Sequence, residues 1–330
     1  MAIPRKSDVI FALATTHYGA LLQIVLPLFA IIGGGVALRR AAWLTPEADA
    51  SLLSLVVKFL YPALILDNVL GNPSLRNPGN LLPPPLMAVV TVVGGILIAL
   101  QIARWIGLGI GTGKRTFAFT CGIYNYAYIP IPLVGALYGK GTLGVLLVHN
   151  VGCEAAIWTV GILVLSGASL RAGWKRLINP ATVSLVLALG LNLTGLSKWI
   201  PAFLMTAIHL CGVCAVPIGL LVTGASLEEF FFRNPKELVD GRVTTAAWIL
   251  RFGVLPILML TLARWLPLTV ELKRVMVVQA AMPSGILPLV IAKHFGGNPR
   301  TAAQVVVGTN VTALLVIPVW LAAGAAFVGV

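Results

Sequence analysis

The sequence predicts an all-α polytopic membrane protein with about ten transmembrane helices in two inverted five-helix repeats. Three observations support this fold class. The chain of 330 residues is 58% hydrophobic and only 10% charged, long apolar stretches recur along it, and its two halves share residue patterns. Soluble domains contain about 25% charged residues, so a normal solvated surface is excluded for this chain.

Apolar stretches of about 20 residues are long enough to cross a bilayer as helices. The first stretch follows Arg5 and Lys6 and has no convincing small-residue cleavage site, so we expect an ordinary span there rather than a cleaved signal peptide. Short polar loops separate most of the stretches. The ten predicted segments are 17–38, 48–70, 83–106, 116–138, 142–166, 177–195, 200–226, 243–266, 272–294 and 301–326.

The two halves of the chain, 1–170 and 171–330, look like repeats of one another. Each half contains five predicted segments. Because five is an odd number, the second half enters the membrane from the opposite side, which makes the repeat inverted, as in many secondary transporters. The matching pairs are 101–105 with 261–265, 114–115 with 273–274, 148–151 with 308–311, and Pro62 with Pro217.

The net charge of +13 comes from basic residues in short loops between the apolar segments. That placement is typical of topology control and of contact with anionic lipid head groups, so we expect membrane lipids, and no nucleic acid, as partners. The loops that follow segments 1, 3, 5, 7 and 9 contain more Lys and Arg than the loops on the other face. This asymmetry predicts that the first face is cytoplasmic and that both termini lie outside.

Prolines interrupt the fourth and ninth segments at matching positions, in residues 124–132 and 279–288. A broken helix survives within a bilayer only where it is buried in protein or lines a cavity. Such a pair of breaks is the best sequence indication of a transporter's binding site, with simple helix kinks as the alternative. Tyr126 and Tyr128 could line the same cavity or pack. The candidate substrate-binding residues at the breaks are Tyr124, Asn125, Pro130, Pro132, Pro283, Ser284, Gly285 and Pro288.

Amide groups near the breaks are candidates for holding a carboxylate. Backbone N–H groups freed at the starts of half-helices have partial positive charge. Asn125 and Gln279 precede the two proline pairs, and Asn150 and Asn310 occupy matching positions in segments 5 and 10. Each of these four side chains can contact a ligand or form hydrogen bonds between helices, and the sequence leaves both alternatives open.

Ionisable residues within the apolar segments are functional candidates by default. Lys58 in segment 2 could exchange a proton, replace a bound cation or attract an anion, although about 13.5 Å of straight helix separates it from Asp67. Asp67 is a candidate gate or proton site, or a solvated interfacial carboxylate. His149 and Glu154 in segment 5 are a candidate protonatable pair, with inter-helix hydrogen bonding as the alternative. We expect Arg251 in segment 8 to meet a carboxylate or backbone carbonyls inside the bundle.

Several short patterns resemble functional motifs but do not support the corresponding functions. Residues 109–115 superficially suggest a phosphate-binding loop but lack a Ser or Thr after the lysine and the required first glycine. Cys211 and Cys214 form a C-x-x-C pattern within an apolar helix, where small packing residues are the better interpretation. The sequence contains no G-x-S-x-G or H-E-x-x-H motif. We therefore expect neither an enzyme nor a bound metal or other cofactor.

Five stretches of the chain together resemble the auxin efflux carrier family: 38–47, 60–68, 177–180, 217–227 and 279–283. The resemblance extends almost from end to end. It implies ten helices, of which the fourth and ninth are unwound and cross near the midplane. It also implies a scaffold and a mobile transport part drawn from both repeats, a homodimer, and, for bacterial relatives, an inner-membrane carrier of small organic anions such as malate or malonate. Plant relatives are associated with auxin.

Residues and resemblance together predict a secondary transporter that moves a small organic anion, a carboxylate or an auxin-like molecule, by elevator-type alternating access. A sodium- or proton-coupled symporter or antiporter on the same scaffold is the first alternative, and a membrane receptor that binds without transport is the second. Since the sequence contains no ATP-binding module, we expect gradients to supply any energy. The substrate, the direction of transport and the coupling ion stay open.

Overall fold

The computed structural model describes residues 6–167, 177–233 and 241–330, and these are almost entirely helical. Within these ranges no β-sheet forms, and the one isolated β-bridge joins Tyr124 to Ser284. The helices in chain order are α1 (Lys6–Arg40), α2 (Pro46–Val69), α3 (Pro83–Trp105), α4 (Lys114–Gly122), α5 (Pro130–Ser166), α6 (Pro180–Leu193), α7 (Ala202–Arg233), α8 (Gly241–Trp265), α9 (Val270–Ala280), α10 (Leu287–His294) and α11 (Pro299–Val328). Helix α5 is kinked at Gly139, whose backbone angles (φ 73°, ψ −174°) are not helical.

Local sequence explains where several of these helices begin. Thr45, Asn179, Thr269 and Asn298 precede α2, α6, α9 and α11, and each side-chain oxygen accepts a hydrogen bond from a backbone N–H of the first turn. Such caps satisfy donors that have no partner within the helix. A proline occupies the first turn of α2, α6 and α11, where its missing N–H costs nothing.

Seven helices of the described chain are long and apolar enough to cross a membrane, and α6 is a shorter apolar helix. This confirms a polytopic all-α membrane protein. The remaining predicted segments, 116–138 and 272–294, are the two that the structure shows interrupted. Ten spans and an inverted repeat stay predictions. The predicted boundary at 170/171 and the loop charges between 171 and 176 lie outside the described residues.

The helices pack into two groups. In the first group, α7 packs against α1 and α2, and α2 also packs against α6. In the second group, α3 packs against α4 and α5, while α9 packs against α5, α8 and α11. Each group contains helices from both halves of the sequence. Contacts between α1 and α11 and between α2 and α5 join the groups.

Glycines bring α1 and α7 of the first group into backbone contact. A Cβ atom on Gly224 would lie 1.9 Å from the carbonyl oxygen of Ile32, and one on Gly35 would lie 2.1 Å from that of Leu221. Both distances are far shorter than any real contact, so only glycine fits. Small residues that allow helix backbones to approach closely are a common means of association within membranes.

Candidate functional site

Both predicted interruptions are present in the structure. Helix α4 ends at Gly122 and α5 begins at Pro130. Helix α9 ends at Ala280, and α10 begins at Leu287 with Pro288 in its first turn. Pro283 lies within the second break. Pro132 lies inside the first turn of α5, where its ring fits a helix because the first N–H groups need no helical partner.

The two breaks cross and are joined by main-chain hydrogen bonds. The Asn125 N–H donates to the carbonyl oxygen of Pro283 at 2.8 Å, and the Gly285 N–H donates to that of Ile123 at 3.1 Å. These bonds give the unwound residues the partners that a bilayer cannot supply. The crossing that the family resemblance implied is therefore present, and it forms a short antiparallel bridge between the halves.

One predicted amide, Gln279, holds the backbone of the first break, and a second, Asn150, bonds to Gln279. Gln279 Nε2 donates to the carbonyl oxygen of Tyr126 at 3.2 Å and to Asn150 Oδ1 at 3.3 Å. Asn150 Nδ2 in turn donates to the Tyr61 hydroxyl at 3.2 Å. Both Gln279 and Asn150 are buried. Their hydrogen bonds support the inter-helix alternative, and ligand contact by either side chain stays a prediction.

The second break is held in a matching way by α11. Asn310 Nδ2 donates to the carbonyl oxygen of Ser284 at 3.0 Å, and the Ser284 N–H donates to Thr309 Oγ1 at 3.2 Å. Asn150 and Asn310, which the predicted repeat pairs, each belong to a hydrogen-bond network beside one unwound segment. Ligand contact by Asn310 or Ser284 also stays a prediction.

A cavity of about 550 Å³ lies beside the crossing, between the two helix groups. The first group lines it from α2, α6 and α7, and the second group lines it from both breaks, α5 and the start of α10. Among the predicted site residues, Tyr124, Asn125, Glu154, Gly285 and Pro288 line this cavity. The predicted site residues that do not line it are Pro130, Pro132, Asn150, Gln279, Pro283, Ser284, Asn310, Lys58, Asp67 and His149.

Asn125 has two polar groups with different roles: one holds the fold, and the other is available to a ligand. Its backbone N–H holds the second break, while its side chain lines the cavity. Within the described part of the chain, its side-chain amide forms no hydrogen bond. An amide has two donors and an acceptor, so this side chain can bind a carboxylate or another polar group that enters the cavity.

Glu154 is the charged side chain of the cavity wall. The Tyr126 hydroxyl donates to Oε1 at 2.5 Å, and Trp158 Nε1 donates to Oε2 at 2.8 Å. His149 lies elsewhere: its Nε2 is 3.5 Å from the Tyr124 hydroxyl and its Nδ1 is 3.8 Å from Cys153 Sγ. The predicted pairing of His149 with Glu154 is therefore wrong, because five residues of α-helix place two side chains about 140° apart.

Arg251 lies in a π-helical turn, Leu250–Val254, within α8. It is fully buried, and its guanidinium carbon lies 5.3 Å from the centroid of the Tyr124 ring. Nη2 is 3.9 Å from Met259 Sδ, and Nε has no hydrogen-bond partner among the described residues. The expected carboxylate or carbonyl partner is therefore replaced by an aromatic face. The extra residue of a π-turn rotates the side chains that follow it, which the sequence pattern does not reveal.

Lys58 and Asp67 lie outside the cavity lining. Lys58 belongs to the π-helical turn Val56–Leu60 of α2 and its side chain is exposed on the helix bundle. Asp67 forms an ion pair with Lys140 at 3.6 Å, and its Oδ2 lies within hydrogen-bond distance, 3.0 Å, of His209 Nδ1. A role for Lys58 or Asp67 in coupling or gating stays a prediction.

Sequence reasoning missed several residues of the cavity wall, among them Tyr61, Trp158, Asn179, Thr223 and Ser226. Four of these residues lie in the stretches that resemble the auxin efflux carriers, and that resemblance is the sequence signal that could have identified them. For Trp158 the sequence signal is a different one: it lies four residues after Glu154. That spacing puts two side chains on one helix face.

Comparisons with known proteins show which family this sequence resembles. A family model described as "membrane transport protein" matches residues 20–172 and 167–321. "Auxin efflux carrier component 7" of Arabidopsis thaliana is 32% identical over 153 residues, which are 45% of this chain and 23% of that protein. The chain therefore spans about a quarter of that relative's length.

Two further relatives match along most of their length. "Auxin efflux carrier component 8" of Arabidopsis thaliana is 24% identical over 348 residues, covering 88% of this chain and 92% of the relative. An "uncharacterized transporter" of Methanothermobacter thermautotrophicus is 22% identical over 303 residues, covering 90% of this chain and 96% of the relative.

Proposed function

The chain belongs to the membrane transport protein family, the family of the auxin efflux carriers, and we propose that it is a secondary transporter of a small organic carboxylate. The observation that supports this proposal is the cavity beside two crossed, interrupted helices. Half-helices that meet within a membrane are a recurrent design for binding sites in transporters.

The carboxylate would bind between Asn125 and the start of α10. Residues 285–288 line the cavity where α10 begins, and the free N–H groups of a helix start attract negative charge. The Asn125 amide offers donors from the other break. Tyr124 and Tyr128 add aromatic walls to the same cavity.

The proposed architecture has ten spans in two inverted repeats. The two interrupted helices support this arrangement, as do the hydrogen-bond networks beside the breaks that include Asn150 and Asn310. The proposed movement is of the elevator type: the group that contains the breaks slides against the group formed by α1, α2, α6 and α7. The cavity lies between these groups, so sliding would change the face from which a ligand can enter.

The proposal places the protein in a bacterial inner membrane, as a multi-pass protein with both termini outside and with a homodimer as its assembly. Sodium- or proton-coupled transport is the alternative mechanism, and a receptor without transport is the alternative class. Neither alternative changes the site, so a measurement of flux is needed to separate them.

Uptake of labelled carboxylates into proteoliposomes tests the proposal. We expect saturable flux that Asn125→Ala reduces at least tenfold, because buried hydrogen bonds to a charged group contribute about 1.5–3 kcal/mol each. Imposed pH and sodium gradients in parallel samples separate uniport from coupled transport.

Asn77→Ala is the matched control, since Asn77 is an exposed cap in the loop between α2 and α3. Unchanged flux in Asn125→Ala would place the ligand elsewhere. Binding without flux for every carboxylate would indicate the receptor.

A further inference from the structure

The charged side chain that the described residues contribute to the cavity wall is acidic. Glu154 lines the cavity, and the wall contains no Lys, Arg or His among the described residues. A cavity for a simple anion would be expected to show the opposite charge, since complementary potentials select a ligand. The position of Glu154 therefore indicates that the ligand has a second group, besides its carboxylate, that an acidic side chain can bind.

Glu154 is fixed in its place. Trp158 Nε1 can only donate, and it holds Oε2, while the Tyr126 hydroxyl holds Oε1. Each carboxylate oxygen has a second lone pair for another donor, and the side chain is partly accessible. An anchored carboxylate with unused acceptor capacity is suited to bind a donor that enters the cavity.

Aromatic rings surround this carboxylate. Tyr61, Tyr126, Tyr128 and Trp158 line the cavity together with it. The faces of aromatic rings attract cations, and cages of such rings bind ammonium groups. A carboxylate among aromatic rings favours a protonated amine over a second carboxylate.

The nearby cationic and titratable groups do not neutralise Glu154. His149, on the same helix, contacts Tyr124 and Cys153, and Arg251 from α8 stacks on the Tyr124 ring. Neither lines the cavity, and none of the ion pairs between described residues includes Glu154. Among the described residues, none supplies a counter-charge to Glu154 at the cavity, and a ligand can supply one.

We propose that the cavity binds a small molecule with a protonated amine, held by Glu154 and the aromatic rings around it. The proposal rests on the proposed function for the carboxylate end of the ligand. It narrows the substrate class from organic anions to amino carboxylates, in which one ammonium group faces Glu154 and one carboxylate faces the breaks.

Three ligands with the same ring test this inference on the purified full chain: 3-phenylpropionate, phenylalanine and phenethylamine. Isothermal titration calorimetry gives each Kd. We expect wild-type protein to bind phenylalanine at least about tenfold more tightly than 3-phenylpropionate, because a desolvated charge pair contributes to affinity on that scale. This ranking needs no variant and is unaffected by any folding defect.

Glu154→Gln then identifies the group responsible. Glutamine keeps an oxygen for Trp158 and presents an N–H to the Tyr126 hydroxyl, so the wall retains its shape. We expect this variant to lose the preference for phenylalanine and to bind phenethylamine at least about tenfold more weakly. Glu47→Gln is the matched control, because Glu47 is an exposed residue in the first turn of α2.

Equal binding of phenylalanine and 3-phenylpropionate by wild type would overturn the inference. Tighter binding of 3-phenylpropionate with uptake of a proton, seen as a dependence of the binding enthalpy on the buffer, would also overturn it and assign Glu154 a proton instead. The proposed function fails separately: it falls if proteoliposomes show no flux, whatever the ranking of the three Kd values.

Discussion

Replacing Arg251 with methionine separates an electrostatic role from a packing role. Its guanidinium carbon lies 5.3 Å from the centroid of the Tyr124 ring, and Tyr124 also lines the cavity. We take the distance from the ring centroid to a bound carboxylate to be about the same. The guanidinium charge and the carboxylate charge then lie about 10 Å apart. At an effective dielectric constant of about 20, they attract each other by about 1.7 kcal/mol.

This attraction predicts a loss of roughly 20-fold in the affinity for a carboxylate ligand in Arg251→Met. The same change should leave the melting temperature unchanged or raise it, because apolar replacement of a buried charge is often neutral or stabilising by about 1–4 kcal/mol. Arg251→Lys keeps the charge and should keep most of the affinity.

The assay combines calorimetric Kd values with thermal unfolding of the same detergent-solubilised samples. A variant that unfolds at lower temperature but binds as tightly as wild type would refute the reasoning, since it would assign Arg251 to packing. Equal losses of affinity in the Met and Lys variants would also refute it, because the charge would then be irrelevant.

Two further substitutions test the packing around the site. Gly224→Ala places a Cβ 1.9 Å from the carbonyl oxygen of Ile32 and should destabilise the protein by about 1–3 kcal/mol. Gly33→Ala is the control, because no atom lies within 4 Å of its Cβ, and it should change the thermal unfolding temperature little. Asn310→Ala removes the hydrogen bond to the buried carbonyl oxygen of Ser284 and should lower the free energy of unfolding by about 1–3 kcal/mol. If the flux of Asn310→Ala then equals that of wild type, the anchored break is not needed for transport.

The interrupted helices show what local sequence can predict well. Hydropathy located the long spans, and the prolines located both breaks to within a few residues. These features depend on properties of single residues and their near neighbours: apolar side chains, and a missing N–H at Pro130 and Pro288. The helix caps at Asn179 and Thr269 follow from the same local chemistry.

The errors have a different origin. His149 and Glu154 are close in sequence, but the helix turns them to different neighbours. Arg251, expected to meet a carboxylate or carbonyls, lies in a π-helical turn, where an added residue changes the register of the helix. The direction of these side chains could not be read from a regular 3.6-residue period.

The sequence by itself determined that this chain is a polytopic membrane protein with two proline-interrupted helices, because hydropathy and proline chemistry act locally. Only the tertiary structure decided which polar groups face the cavity and which hold the backbone. Gln279 meets Asn150 across 129 positions, and Tyr126 meets Glu154 across 28. Such contacts depend on how distant helices pack and rotate against each other, and no local pattern records that geometry.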